Sequence, residues 1–350
     1  MAVGLVSFSS FSPVPDDAGI AAGANQFTLV LVFGLLVGIL FYMAVEWLQT
    51  RRLDSIARQF STRTIVLIPI AIAIKFVLGQ TVGTALKLPV YLDSVGTILV
   101  GVLAGPIAGA ATGILSNVAW TFLLAGTPFG SPYAWPFAIV AAEIGFVAGV
   151  AGHLGAFRPR PGTSASRLLG GIAVAVGLVG ALTWYGILPF YRTLCQAPAG
   201  EAGSDAICVD LLQPLGNVDA VFVALGIGIV VALVVALVAL GIRFARNRDL
   251  GVVIVLVTGI ACGVISAFIA APIATIVFGG VTASGTDLLV AAFLQVGSTL
   301  DDAVLRQSLL SDTIDKTVEY LIVFTLLGAL SRRVVARFPQ GERAIGTIEA

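Results

Sequence analysis

Residues 86–113 read LKLPVYLDSVGTILVGVLAGPIAGAATG. Two apolar runs meet at Gly105-Pro106, and a lysine, a proline, a tyrosine and an aspartate precede the first of them. A single helix over 91–126 would be about 54 Å long at 1.5 Å per residue. That is well over the ~30 Å hydrocarbon core of a bilayer. Gly105-Pro106 is therefore predicted to be the turn of a hairpin.

That reading makes lipid the main solvent, and the composition agrees. The chain of 350 residues is 58% hydrophobic and 11% charged, with a mean hydropathy of +1.04. Soluble domains carry about 25% charge. The apolar runs are long and do not alternate, which argues for helices and against a β-barrel. The sequence predicts an all-α polytopic membrane protein with about nine spanning helices. These cover 26–48, 64–82, 91–105, 106–126, 134–155, 168–190, 217–242, 251–279 and 316–336.

The basic residues test that count. Loops on the cytoplasmic side are enriched in Lys and Arg. With the N-terminus outside, 14 of the 19 basic residues fall in cytoplasmic segments: 51–63, 158–167, 243–248 and 332–343. Only Lys75, Lys87, Arg192, Arg306 and Lys316 lie elsewhere. An error of one span would invert every later loop and destroy this agreement. The chain is thus predicted as a multi-pass plasma-membrane protein with an external N-terminus and a cytoplasmic C-terminus. Residues 1–25 lack a basic start and carry Asp16 and Asp17, as a flexible external tail would.

Ionisable residues inside spans are costly and usually face a cavity or a partner. Lys75 and Glu143 fall near mid-span, and a structural ion pair between them is one expectation. Asn117, Trp120 and Gln80 lie toward the outer ends of their helices. The topology brings Lys87, Tyr91, Asp93, Trp135, Phe137, Asp287, Gln295, Asp312, Asp315, Lys316 and Glu319 to the same face. An apolar and aromatic wall with a few placed polar groups is what a small-molecule pocket needs. The substrate-binding candidates are Gln80, Tyr91, Asp93, Asn117, Trp120, Trp135, Glu143, Asp287 and Lys316. Two readings stay open for several of them. Asp93, Asp312 and Asp315 suit helix caps as well as ligand contacts, and the tryptophans suit belt anchors as well as pocket walls.

Cys195 and Cys208 share one predicted external loop, where a disulfide is expected. Residues 280–315 are also external, with an amphipathic stretch at TDLLVAAFLQVG. Small-residue stripes at Gly105, Gly109 and Gly113, and at Gly259, Gly263, Ala267 and Ala271, suit close helix packing or a docking surface. One histidine and three cysteines are too few for the usual zinc sites. No P-loop or H-E-x-x-H is present. No cofactor, metal, nucleic-acid partner or enzymatic activity is expected.

The stretch KLPVYLDSVGTILVGVLAGPIAGAATGILSN (87–117) resembles substrate-binding S components of energy-coupling-factor (ECF) importers. GVTASGTDLL (280–289) and LLSDTIDKTVEYLIVFTLLGALSRRVVARFP (309–339) look like the end of such a protein. The resemblance implies a six-helix core with both ends cytoplasmic. Residues 62–157 would carry core helices one to four and 250–339 helices five and six. The sequence departs from that plan in an extra helix and basic linker at 26–61 and an inserted hairpin at 158–249. A cytoplasmic tail at 340–350 completes the division. Lys75 also stands where the resemblance implies a neutral residue such as Asn.

The resemblance implies a substrate-capturing subunit for a vitamin or related small molecule. Its partners would be a transmembrane coupling subunit and two ATPase subunits, within membrane lipid. Small residues of the first core helix, here Ala71 and Ala73, would meet the coupling subunit. A self-sufficient secondary transporter or channel, a membrane sensory module and an intramembrane enzyme remain as alternatives.

Overall fold

The computed structural model describes residues 55–85, 90–124, 134–196, 248–282, 284–295 and 298–346, with isolated positions between 33 and 48. Among these the chain is helical: α1 Ser55–Gln59, α2 Thr62–Leu78, α3 Val95–Ala104, α4 Pro106–Phe122, α5 Ala138–His153, α6 Ala165–Gln196, α7 Leu250–Phe278, α8 Asp287–Gln295, α9 Leu300–Ala329, α10 Arg332–Val335 and α11 Gly341–Ile345. Four helical stretches are long and apolar enough to cross a membrane: Thr62–Val82, Trp135–His153, Ala165–Leu182 and Leu250–Phe278. The predicted tail 1–25 and the span at 217–242 lie outside the described residues, as does most of 26–48. Lys87 and the Cys195–Cys208 pairing do too.

The predicted hairpin is present. Gly105 separates α3 from α4 with φ of +130°, a conformation that side chains rarely tolerate. Pro106 then opens α4, where its missing N–H costs nothing. Gln59 on α1 caps the turn, its Oε1 accepting from Ile107 N at 2.8 Å and Ala108 N at 3.2 Å.

The same end of the molecule gathers the arginine-bearing segments. Gln340 N donates to Leu103 O at 2.8 Å, just before the turn. Arg63 donates to Arg337 O at 3.1 Å, and Arg158 to Arg343 O at 2.6 Å. Asp249 caps α7 through Gly251 N and also accepts from Arg160 N, at 2.8 and 2.7 Å. The grouping inferred from charge thus has a physical counterpart. Segments far apart in sequence share one end through backbone bonds and several side-chain to backbone bonds.

Both small-residue stripes pack inside the molecule. A Cβ on Gly101 would sit 2.5 Å from Gly145 O, and one on Gly145 would overlap the Gly109 carbonyl. One on Gly263 would lie 2.5 Å from Thr313 Cα, and one on Gly259 2.8 Å from Thr317 Cα. Backbones in van der Waals contact are how membrane helices associate without a water-driven term. Gly145→Leu is expected to destabilise the α4–α5 pair by about 1–3 kcal/mol or more, because no flexible neighbour can yield. Thermal unfolding in detergent measures this. Outward faces carry exposed Ile65, Val66, Ile70, Val77, Phe122, Phe268 and Ile276, as lipid-facing surfaces should.

Three expectations are corrected. The last helix begins at Leu300, not near 316, and its N-cap is Thr299, whose hydroxyl accepts from Asp302 N. Asp312 and Asp315 therefore lie several turns inside α9 and cap nothing. Their charge made a helix start look natural at 316, whereas burial explains the charge. Helix α3 starts at Val95 and not at 91, and its N-cap is Ser94, so Asp93 is not the cap. Ala71 is 2% exposed and faces Gly96 of α3, so of the predicted docking pair only Ala73 is exposed.

Candidate substrate site

Helix α3 has 10 residues, about 15 Å of length. It cannot cross a bilayer alone, and every one of its residues is buried. An irregular segment, 90–94, leads into it, with Leu92 in the left-handed region at φ +51°. Irregular backbone at membrane depth must find partners inside the protein.

Helix α9 supplies them. Asp315 Oδ1 accepts from Leu92 N at 2.7 Å and from Tyr91 N at 3.2 Å. Glu319 Oε1 accepts from Ser94 N. Both carboxylates sit at the N-terminal end of α3, where free amides and the helix dipole favour negative charge. Neither is exposed at all.

Buried carboxylates need compensation. Lys316 Nζ gives it, at 2.6 Å from Asp315 Oδ2 and 3.0 Å from Glu319 Oε2. It also donates to Ser94 Oγ at 3.2 Å and lies 3.9 Å from Asp93 Oδ1. Oxygens of Asp93, Asp315 and Glu319 lie within 4.8 Å of one another, a spacing that suits a cation. The cation there is the Lys316 ammonium, so the set does not fit a metal.

Lys75 pairs with Asp93, not with Glu143 as the sequence suggested. Asp93 is nearer because the chain turns inward before α3, a feature that hydropathy does not report. Lys75 Nζ also lies 5.5 Å from the centre of the Trp120 ring, and Trp120 packs against Phe76 at 5.9 Å. Gly79, where α2 passes into a π-helical turn over Gly79–Ala85, leaves room for that indole. Gln80, half-buried, belongs to the same turn.

A hydroxyl chain extends the network. Tyr91 Oη lies 2.9 Å from Ser284 Oγ and 3.0 Å from Thr286 Oγ1. Thr282 Oγ1 lies 2.9 Å from Ser284 Oγ and donates to Asp287 Oδ1 at 2.9 Å. So Tyr91, Asp93, Trp120, Asp287 and Lys316, all predicted, join one connected site. Asn117 Nδ2 donates to Ala134 O at 2.9 Å, which ties α4 to the residue before Trp135. Trp135 is half-buried at the start of a short 3₁₀ turn, Trp135–Phe137. Glu143 accepts from Ser266 Oγ at 2.7 Å and Cys262 Sγ at 3.8 Å and makes no ion pair with Lys75.

The residues that sequence reasoning passed over are hydroxyl-bearing: Ser94, Ser266, Thr282, Ser284 and Thr286. Their type is too common in helices and loops to stand out. Among the described residues five side-chain atoms are buried with no hydrogen-bond partner: Asn117 Oδ1, Asp312 Oδ2, Thr313 Oγ1, Tyr320 Oη and Gln340 Oε1.

These features define a helical membrane protein with a polar, ion-paired interior at the end opposite the arginines. The family described as "ECF transporter, substrate-specific component" matches residues 63–246. The chain belongs to that family, whose members are transport proteins. No curated protein and no solved structure matches the chain. The match takes in α2 to α6 and ends inside the predicted insert at 158–249. It stops before α7 and α9. The ionic site thus joins the matched region to a helix beyond it.

Proposed function

We propose that this protein captures a vitamin or related small molecule at the external face and passes it to an ATP-driven importer. It would do so as the S component of an ECF complex, docked on a transmembrane coupling subunit that two ATPase subunits drive. The observation that carries the reading is the buried polar site around Asp93, Lys316 and Trp120, together with the unsatisfied acceptors Asn117 Oδ1 and Asp312 Oδ2. Buried polar atoms without partners are few in folded proteins. A ligand supplying donors would satisfy these two.

The arginine-bearing end is the cytoplasmic one on this reading, by the excess of basic residues there. That leaves the site facing out. Ala73, exposed on α2, is the small residue available for docking on the coupling subunit. The division into an S-component core and added segments at 26–61 and 158–249 is part of the same proposal.

Thermal unfolding of the purified chain with vitamins, nucleobases and their precursors tests the reading, with co-purification of an ATPase partner alongside. A rise in unfolding temperature with one compound, together with recovery of an ATPase, is the expected result. No stabilising compound and no ATPase would overturn it.

A further inference from the structure

The charges of the site do not balance. Among the described residues six carboxyl groups, Asp93, Glu143, Asp287, Asp312, Asp315 and Glu319, share this interior with two ammonium groups, Lys75 and Lys316. Both ammonium groups are spent. Lys75 is paired with Asp93, and Lys316 bridges Asp315 and Glu319. Neither is left to receive an anionic ligand.

Glu143 and Asp312 make no ion pair among the described residues. Glu143 accepts from the neutral donors Ser266 and Cys262. Asp312 is 9% exposed, and its Oδ2 has no donor at all. Asp312 lies one turn before Asp315 and Lys316, on the same face of α9. It therefore borders the same site and does not face lipid. A buried carboxylate lacking a donor is costly to keep. A positively charged N–H donor offsets that cost best.

We infer that the ligand is a small organic cation that donates hydrogen bonds, such as a protonated amine or an amine-bearing heterocycle, and that Asp312 receives it. The inference rests on the substrate-capture reading above and names its chemical class. Indole faces attract positive charge, and Trp120 already lies against the Lys75 ammonium in this site.

The test sorts probes by charge. Thiamine, pyridoxamine and spermidine form the cationic set. Pantothenate, biotin and nicotinate form the carboxylate set, and riboflavin is the neutral control. Unfolding temperatures of the purified chain are measured with each, for the wild type and for Asp312→Asn. Asparagine keeps the shape and removes the charge.

Stabilisation by a cationic probe is expected, with its apparent affinity falling about tenfold or more in Asp312→Asn. The variant's unfolding temperature without ligand should be unchanged or higher. Stabilisation by the carboxylate or neutral probes alone would overturn the cationic class and leave the capture reading intact. Equal affinity of the two proteins for a cationic probe would remove Asp312 from the site. No response to any probe would overturn the cationic class, and with no ATPase recovered either it would overturn the capture reading too.

Discussion

Asp315→Ala is expected to cost about 3–5 kcal/mol of stability, the usual penalty for removing one partner of a buried pair. Three bonds end on that carboxylate. Leu92 N and Tyr91 N donate to Oδ1, and Lys316 pairs with Oδ2. Alanine would leave two buried amides unsatisfied beside a less well compensated ammonium. The segment 91–94 would lose its hold and α3 its fixed starting point. Detergent-solubilised protein should unfold at a markedly lower temperature, measured against wild type under identical conditions. Asp315→Asn, which keeps one acceptor oxygen, should fall between the two. A temperature equal to wild type for the alanine variant would mean that α9 does not anchor this backbone.

Lys75→Met should be nearly as damaging, for the opposite reason. It removes the ammonium from Asp93 and leaves that carboxylate with Lys316 at 3.9 Å as its remaining ion partner. The cost is again about 3–5 kcal/mol. The diagnostic variant is the double substitution Lys75→Met with Asp93→Leu. Replacing a buried ion pair by apolar groups of similar volume is often neutral or better. Stability should therefore return toward wild type in the double variant. If it falls below both single variants, the two residues have independent partners and the pair is not a unit.

Much of the fold was legible in the sequence because lipid imposes simple demands. Apolar length marked the four helical stretches that, among the described residues, could cross a membrane. Gly105-Pro106 was readable as a turn because no single helix of that length fits a bilayer. The start of α9 was not readable in the same way. Hydropathy treats Asp301, Asp302, Arg306, Asp312 and Asp315 alike, as groups that belong in water. Burial separates them: Asp301 is exposed, whereas Asp315 is wholly enclosed against the 91–94 backbone.

The site was legible as a list of residues more than as a set of partnerships. Tyr91, Asp93, Trp120, Asp287 and Lys316 do converge. The pairing of Lys75 with Asp93 depends on where the chain unwinds before α3, and so does the use of Asp315 and Glu319 as acceptors for backbone amides. No periodicity encodes that break. Ala71 illustrates the same limit. A small residue on the first core helix suits a docking face, yet here its Cα faces Gly96 and it closes the α2–α3 contact.

The central claim is that this chain holds a small molecule at the site bordered by Asp93, Asn117 and Asp312. Mass spectrometry of what the purified protein releases on denaturation tests it most directly, with wild type and Asn117→Ala compared at equal protein amounts. Asn117 Oδ1 has no partner and its Nδ2 bonds the loop backbone, so the variant should fold and lose the ligand. The expected result is one compound, about one per chain, released by the wild type and depleted in the variant. No compound from the wild type, or equal amounts from both proteins, would contradict it.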